Sequence, residues 1–364
     1  MPAYIGVNGK AKSIAKVYVG NSNDKAELIW GPRGPNRYSK DVDDLSVPRY
    51  SLSSSEIGGY ALFAGGLTKT SPTESAIASS AVDAYDKTLT RTTPTKLSVG
   101  RYGMASANND DHAIFAGGDG YSDVVDTYNI LLTRKTASAL SVGRKSSAAC
   151  SAASYIVVAG GNTTDGYSKV VDAYNSRLSR TSPTELSEAK SNLVGVSTDS
   201  EYGYGHILFA GGYSNSNYVS TVEVYSYRLT KQNNAAPLSD AKAGCVAVNV
   251  RKYAIIAGGG GLSRSNTVDV YNDDLIKTSV TSLTSTSTNM VATALHNEYA
   301  LFCGFANSKY FIDAYDYNLT KIFVKFNATR TSIAAASIGK YSLFAGGTFN
   351  SVSRSTVDVF HIFE

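Results

Sequence analysis

Residues 60–66 read YALFAGG, and this apolar phrase ending in two glycines decides the fold because near-copies of it recur along the chain. The seven copies are YALFAGG (60–66), HAIFAGG (112–118), YIVVAGG (155–161), HILFAGG (206–212), YAIIAGG (253–259), YALFCGF (299–305) and YSLFAGG (341–347). Successive copies lie 42 to 52 residues apart, a period typical of β-propeller blades and too long for ankyrin or leucine-rich repeats. The chain is therefore built from repeats, and each repeat is one structural unit.

Each repeat contains two further phrases. One follows the apolar run and reads VDAYDKTLTR (82–91) in the first repeat; the other precedes the apolar run and reads LSVGRYGMASA (97–107) in the second repeat. The apolar run without polar alternation indicates a strand covered on both faces. The β-branched and aromatic residues of the second phrase also favour a strand. The glycine pair marks a turn or the close approach of another backbone. Each repeat therefore predicts four short strands, which is one propeller blade.

An apolar strand ending in Gly-Gly, followed by an acidic and an aromatic residue in the next strand, resembles the Kelch repeat over residues 36–364. The resemblance implies an all-β fold, a seven-bladed Kelch-like β-propeller with four strands per blade. The sixth repeat departs from the pattern with Phe305 in place of its second glycine. Leucine stands where Kelch repeats usually carry Trp, at Leu89, Leu132, Leu178, Leu229, Leu275 and Leu319.

The two ends of the repeat region predict closure of the ring. The seventh repeat stops after its third strand, and residues 36–46 precede the first repeat with no earlier strands of their own. We expect this segment to supply the fourth strand of blade 7, which removes the exposed sheet edges of an open stack.

The composition excludes several classes of function. A net charge of +4 with 18% charged residues argues against a nucleic-acid partner. The sequence has no run of 18 apolar residues and no apolar N-terminal segment, so we expect no membrane span and no signal peptide. Cys150, Cys245 and Cys303 lack metal-binding spacing and are expected to be buried, unpaired thiols.

Catalytic motifs are also missing from the sequence. It contains no HExxH, GxSxG or Walker motif, and His112 and His206 occupy a slot that Tyr fills in the other copies. Kelch-like propellers include copper oxidases and sialic acid isomerases, but the ligand set of the former has no counterpart here. We expect no enzymatic activity, no metal and no cofactor, although a site assembled from distant blades would escape a motif search.

Residues 1–34 contain no copy of the repeat. They hold a doublet, YIGVNGKAKSI (4–14) and YVGNSNDKAELI (18–29), whose Asn8-Gly9 pair suits a tight hairpin. A Pro/Gly linker to about residue 37 follows. The pattern resembles a short module of virion and tail-associated proteins of phages and prophages of Firmicutes, which implies attachment or assembly through Tyr4, Tyr18 and Trp30. The alternative is a leader that packs on the propeller or forms a flexible arm.

Candidate ligand-binding residues lie in the loops after each Gly-Gly, where the copies stop agreeing. These loops are rich in Tyr, Ser, Asn and Gly, the chemistry of adaptable recognition surfaces, which also suits sugars. Turn preferences account for part of this bias. The candidates are Tyr121, Tyr167, Tyr213, Asn215, Tyr218 and Arg264.

A ring of cations is expected at the same face, where the inner strands begin: Arg49, Arg101, Arg144, Lys190, Lys242 and Arg330. The third strand of each repeat opens with an acid: Asp83, Asp126, Asp172, Glu223, Asp269, Asp313 and Asp358. The cations either hold an anionic ligand, such as a phosphate-bearing cell-wall polymer, at the channel mouth or form structural pairs with these acids, which we favour.

Two functions follow from these patterns. The first is a non-enzymatic structural protein of a phage virion, in a tail, baseplate or head fibre, made in the bacterial cytoplasm and present in several symmetric copies. Its residues 1–34 bind other virion proteins, and its propeller binds a host cell-wall glycan or a virion protein. The second is a bacterial Kelch-type adaptor or glycan-active protein that acts alone.

Overall fold

The computed structural model describes residues 3–7, 10–14, 17–20, 26–30, 35–37, 42–198, 205–287, 289–306, 309–324 and 330–361. All regular secondary structure within these ranges is β-strand. The described residues accordingly include no helix long and apolar enough to cross a membrane.

The first four strands form two antiparallel hairpins. They are β1 (Ala3–Val7), β2 (Lys10–Ile14), β3 (Val17–Gly20) and β4 (Ala26–Trp30). β1 pairs with β2 so that Val7 lies opposite Lys10, and β3 pairs with β4. The first connection therefore has the two-residue length that the sequence predicts. The Asn8-Gly9 turn, residues 31–34 and the side chains of Tyr4, Tyr18 and Trp30 lie outside the described part of the structure.

The remaining strands build a seven-bladed β-propeller. In chain order they are β5 (Asn36–Arg37), β6 (Ser53–Ile57), β7 (Tyr60–Ala64), β8 (Leu67–Thr68), β9 (Ile77–Ala78), β10 (Val82–Asp86), β11 (Arg91–Thr92), β12 (Ala105–Asn108), β13 (His112–Ala116), β14 (Val125–Asn129), β15 (Arg134–Thr136), β16 (Ala148–Ala152), β17 (Tyr155–Ala159), β18 (Asn162–Thr163), β19 (Gly166–Tyr167), β20 (Val171–Tyr174), β21 (Arg180–Thr181), β22 (Val194–Ser197), β23 (His206–Ala210), β24 (Tyr213–Ser214), β25 (Asn217–Tyr218), β26 (Val222–Ser226), β27 (Val246–Val250), β28 (Tyr253–Ala257), β29 (Val268–Tyr271), β30 (Lys277–Ser279), β31 (Val291–Leu295), β32 (Tyr299–Ala306), β33 (Lys309–Asp316), β34 (Lys321–Val324), β35 (Ala334–Ile338), β36 (Tyr341–Ala345), β37 (Thr348–Phe349), β38 (Val352–Ser353) and β39 (Val357–His361).

Each blade is one antiparallel sheet, read from the inner strand A to the outer strand D. The blades are β6-β7-β10-β11, β12-β13-β14-β15, β16-β17-β20-β21, β22-β23-β26, β27-β28-β29-β30, β31-β32-β33-β34 and β35-β36-β39-β5. The short pairs β8-β9, β18-β19, β24-β25 and β37-β38 are hairpins in the loops between strands B and C. We call the end of the ring that carries these B–C loops the loop face.

Burial follows the sequence pattern of each strand. In β7 every residue after Tyr60 is buried, as expected for a strand covered on both faces, whereas β6 alternates buried and half-buried residues. The inner strands line an axial cavity of about 370 Å³. Hydrophobic clusters join neighbouring blades, and Phe63 packs edge-on against Tyr85 with ring centroids 6.0 Å apart. The three cysteines are unpaired and buried, and burial raises the pKa of Cys245 to about 11.

The predicted closure of the ring is confirmed. β5 pairs with β39, with Arg37 opposite Phe360 and Asn36 opposite His361, so the N-terminal strand completes blade 7. The backbone N–H of Gly347 in blade 7 also donates to the carbonyl of Arg49 in blade 1 at 2.8 Å.

Two blades depart from the regular four-stranded pattern. Blade 4 has three regular strands and two isolated bridges instead of the predicted fourth strand. Its segment from Lys231 to Leu238 is one residue longer than the segment from Arg180 to Leu186 in blade 3, which interrupts the outer ladder. In blade 6, Phe305 replaces the second glycine, and β32 continues straight into a hairpin with β33, with Ala306 opposite Lys309.

The six leucines that recur at one position of the repeat, Leu89, Leu132, Leu178, Leu229, Leu275 and Leu319, lie in the C–D turns. All six adopt the left-handed conformation with φ between 57° and 65°, which is rare for a bulky residue. In blade 1 the N–H of Leu89 donates to the carbonyl of Asp86 at 2.9 Å, and the side chain is buried. A tight turn therefore combines with core packing at this position.

Candidate functional site

The glycine pair positions the loops of the loop face. Gly161 has φ +109°, and its N–H donates to the carbonyl of Lys190, in the segment entering the next blade, at 2.8 Å. A Cβ atom on Gly161 would lie 2.8 Å from the carbonyl oxygen of Lys145. The close backbone approach that the sequence predicted is therefore present, and it fixes where the B–C loop of blade 3 begins.

The predicted cation ring lies inside the blades. In blade 2, Arg101 lies 2.5 Å from Asp126 and donates to the carbonyls of Gly117 and Val124 at 2.8 Å each. All six cations pair with the acid of their own blade: Arg49–Asp83, Arg101–Asp126, Arg144–Asp172, Lys190–Glu223, Lys242–Asp269 and Arg330–Asp358. No side chain of the six is more than 9% exposed, so the ring has no cation free to hold an anionic ligand at the channel mouth.

A second set of cations binds the acids of blades 1 to 6 from the outer edge of each blade, and sequence reasoning missed it. Arg134 lies 2.9 Å from Asp126 and opposite Tyr128 in the sheet register. The set comprises Arg91, Arg134, Arg180, Lys231, Lys277 and Lys321. The last residue of each VDAYDKTLTR-like phrase was the signal that could have revealed it. Arg37 occupies the same register position in blade 7, opposite Phe360.

Charge and burial set the pKa values in these clusters. Burial lowers the pKa of Arg101, and the carboxylate of Asp126 offsets part of this effect. Burial by itself raises the pKa of Glu223, but Lys190 and Lys231 outweigh it and hold the pKa below its ordinary value. Glu223 is therefore an ionised structural group at neutral pH.

Blade 4 carries Lys where blades 1 to 3 carry Arg, and its neighbours differ accordingly. Lys190 Nζ donates to Thr221 Oγ1 at 2.9 Å and lies 3.0 Å from Glu223. Thr221 in turn donates to Glu188 at 2.7 Å. The shorter reach of Lys is thus accommodated by a hydroxyl and a second carboxylate, which is located on the loop face.

Blade 5 repeats this arrangement beside a cleft. Asp240 accepts hydrogen bonds from Ser265 Oγ at 2.8 Å and Thr267 Oγ1 at 3.0 Å, and Lys242 Nζ donates to Thr267 at 2.6 Å. These contacts hold an exposed carboxylate in a fixed orientation. Asp240 was not among the candidates from the sequence, because its role depends on contacts between loops.

The cleft lies between the loops of blades 4 and 5 and has a volume of about 720 Å³. We call it the blade 4–5 cleft. Its lining includes Asn217, Tyr218, Asp240, Leu262, Arg264 and Thr267. Leu262 is fully exposed on its rim, and Asp240 and Arg264 are its charged lining residues. The cleft therefore combines an aromatic ring, an apolar side chain, a carboxylate and a guanidinium.

Three of the predicted tyrosines come together next to this cleft. The rings of Tyr167 and Tyr213 lie 5.9 Å apart, and those of Tyr213 and Tyr218 lie 5.0 Å apart, both in edge-to-face contact. Tyr167 is 36% exposed and Tyr218 37% exposed. We call these three residues the tyrosine cluster, and it spans the boundary between blades 3 and 4.

A tight hairpin holds two members of the cluster. Tyr213 and Tyr218 are directly opposite each other in the β24-β25 pair, where side chains on one face contact across the strands. Asn215 and Ser216 at the tip have φ of 44° and 63°, the left-handed pair of a type I′ turn, which favours Asn. Asn215 is exposed and forms this turn, so the structure gives it a local role in shaping the hairpin.

Tyr121 is placed differently. Lys145 Nζ lies 4.8 Å above its ring and 3.3 Å from Asp119 Oδ1. The ring contacts among the described residues join Tyr167, Tyr213 and Tyr218 and leave out Tyr121. The described part of the chain also holds no group of three or more His, Cys, Asp or Glu side chains placed to bind a metal ion.

The fold and this face define the chain as a seven-bladed β-propeller. Neither a protein-family model nor a curated protein sequence matches it. Among the solved structures that match, one titled "Structure of YjhT" aligns with a TM-score of 0.54 and 12% identity, over 73% of this chain and 96% of that chain. At this identity the likeness shows a shared fold.

Proposed function

We propose that this protein is a non-enzymatic, Kelch-like propeller that binds a carbohydrate on its loop face and is carried as a structural component of a phage virion. The observation that carries the binding proposal is the tyrosine cluster beside the blade 4–5 cleft. Exposed aromatic rings provide apolar platforms, and a few oriented polar groups provide specificity in a concave site. Sugars present an apolar ring face together with many hydroxyls, which suits this combination.

Asp240 supplies the polar half of the proposed site. Ser265 and Thr267 donate to one of its oxygens, Oδ2, which orients the carboxylate before a ligand arrives. A carboxylate oxygen accepts strong hydrogen bonds from sugar hydroxyls. Catalysis at a glycosidic bond ordinarily needs two carboxyl groups, and Asp240 is the one carboxylate among the described residues that line the cleft. This chemistry supports binding as the proposed role.

The binding proposal is tested with the full chain on a glycan array and on purified bacterial cell walls. We expect Tyr218→Ala and Asp240→Asn each to weaken binding about tenfold, equivalent to about 1.4 kcal/mol. Phe349→Ala is the matched control, because Phe349 is an exposed aromatic residue of the blade 7 hairpin, whose tip residues Asn350 and Ser351 have φ of 50° and 61°. Failure of the wild-type protein to bind any glycan or cell wall refutes the proposal.

The virion proposal is supported by the resemblance of residues 1–34 and by their two hairpins. We propose that this module joins the protein to other virion proteins through Tyr4, Tyr18 and Trp30, in several symmetric copies. Mass spectrometry of purified particles should detect the protein, and deletion of residues 1–34 should remove it from particles while leaving glycan binding intact. Its absence from particles would favour an adaptor or glycan-active protein that acts alone.

A further inference from the structure

The tyrosine cluster extends beyond the blade 4–5 cleft. Tyr218 lines the cleft, Tyr213 stands between its two neighbours, and Tyr167 lies beyond it on the hairpin of blade 3. The two outer rings keep similar exposed areas, 36% for Tyr167 and 37% for Tyr218. The surface therefore offers two separate aromatic platforms, Tyr167 and Tyr218, which are joined by the packed ring of Tyr213. A single sugar needs only one such platform.

Backbone hydrogen bonds fix the distance between the platforms. The N–H of Lys190, in the segment entering blade 4, donates to the carbonyl of Ser168 next to Tyr167 at 3.0 Å. Tyr213 exchanges backbone hydrogen bonds of 2.8 Å and 3.1 Å with Ser191. Because Lys190 and Ser191 are adjacent and buried, the loops of blades 3 and 4 are anchored to one rigid segment. The two platforms are therefore pre-organised, which lowers the entropic cost of binding a long ligand.

We infer that the ligand of this face is an uncharged, linear oligosaccharide of at least two sugar units. One unit occupies the blade 4–5 cleft against Tyr218 and Asp240, and a later unit stacks on Tyr167. This inference rests on the proposed carbohydrate-binding function and adds the length and charge class of the ligand.

The charges along this path favour an uncharged chain. Asp240 lies at the cleft end, and Asp165 is exposed at the tip of the blade 3 hairpin, two residues from Tyr167. Arg264 offers one positive charge at the cleft end. Lys169, also two residues from Tyr167, is exposed but is paired with Glu185 at 2.8 Å. A chain with a phosphate or carboxylate on every unit would place negative groups near both carboxylates, and like charges in proximity are unfavourable.

The inference is tested by calorimetric titration of the full chain with named ligands of increasing length. The probes are glucose, galactose, rhamnose and N-acetylglucosamine, each as a monomer and as linear oligomers of two to four units. For at least one series we expect affinity to rise tenfold or more between the monomer and the longest oligomer. Tyr167→Ala should remove most of this gain and weaken the longest oligomer at least fivefold more than the monomer, whereas Tyr218→Ala should weaken every length. Phe349→Ala again serves as the control, and circular dichroism checks that each variant is folded.

The outcomes separate this inference from the proposed function. Equal affinity at all lengths, an equal effect of Tyr167→Ala on monomer and oligomer, or tighter binding of a phosphorylated oligomer than of its neutral form each overturns the inference while leaving carbohydrate binding in place. Absence of binding in all four series also overturns it. The proposed function itself falls only if the wild-type protein also fails on the glycan array and on cell walls.

Discussion

Blade 3 has Arg144 where blade 4 has Lys190. We predict that Lys is accommodated at this position only when the neighbouring side chains are changed with it. Arg144 lies 2.8 Å from Asp172 and donates to the carbonyls of Val158 at 3.2 Å and Val142 at 3.3 Å. In blade 4 the corresponding Lys190 relies on Thr221 and Glu188, and the equivalent positions in blade 3 are Val170 and Val142.

The first perturbation is Arg144→Lys alone. Lysine is a point charge without the guanidinium fork, so the buried carbonyl of Val158 loses its side-chain donor. A hydrogen bond from a charged donor contributes roughly 1.5–3 kcal/mol. Asp172 retains Arg180 at 2.8 Å and the N–H of Ser141 at 3.1 Å, so the loss stays below the roughly 3–5 kcal/mol of an unpaired buried charge. We expect a destabilisation of about 2 kcal/mol.

The second perturbation adds the blade 4 environment. The triple variant Arg144→Lys/Val142→Glu/Val170→Thr supplies the hydroxyl and the second carboxylate, and we expect it to recover about 1 kcal/mol relative to the single variant. The assay is urea unfolding followed by far-UV circular dichroism, with Val142→Glu/Val170→Thr in the Arg144 background as the control. The reasoning is refuted if the single variant matches the wild type, or if the triple variant is no more stable than the single one.

Three further predictions concern the repeat itself. Gly161→Ala should destabilise the fold more than Gly166→Ala by about 1–3 kcal/mol. Both glycines have φ above 100°, but only at Gly161 would a Cβ atom lie against a carbonyl oxygen, at 2.8 Å. Equal urea midpoints for the two variants would contradict this close approach. Tyr128→Phe should cost about 1 kcal/mol, since its hydroxyl donates to the carbonyl of Thr95 at 2.7 Å, and an unchanged unfolding midpoint would count against this bond. Because the pKa of Glu223 is lowered in the fold, its contribution to stability is complete above the unfolded pKa of about 4.3 and is lost as pH falls through the lower folded value. The urea midpoint should therefore drop below about pH 4, and Glu223→Gln should make that drop smaller; an equally steep drop in the variant would assign it to other acids.

The architecture was readable from the sequence because its determinants are local and repeated. The apolar run at 60–66 has no polar alternation, which indicates a strand covered on both faces. Its glycine pair marks a backbone approach that a side chain would block. The missing fourth strand of the seventh repeat likewise predicted that residues 36–46 belong to the last blade. The interrupted fourth strand of blade 4 was not predicted, because one extra residue between Lys231 and Leu238 has no local signature until the ladders are paired.

The candidate site was only partly readable. Tyr167, Tyr213 and Tyr218 stood out by type and by their position after Gly-Gly, but their contact depends on the register of a hairpin and on two neighbouring blades. Asp240 was missed because the hydroxyls that orient it, on Ser265 and Thr267, lie 25 and 27 residues away. The outer cations were missed because strand pairing, and not sequence distance, brings Arg134 next to Asp126.

The sequence by itself determined the number of repeats, the buried strand of each, the turn glycines and the closing of the ring, because each depends on residue type and on spacing within one unit. Only the tertiary structure decided which loops meet, which charges are buried and which stay exposed. The cation ring shows the difference: its residues were visible from the repeat, but their burial inside the blades follows from the packing of strands that are far apart in the chain. Loop length and blade order then brought three tyrosines and a cleft together on one side of an otherwise repetitive face.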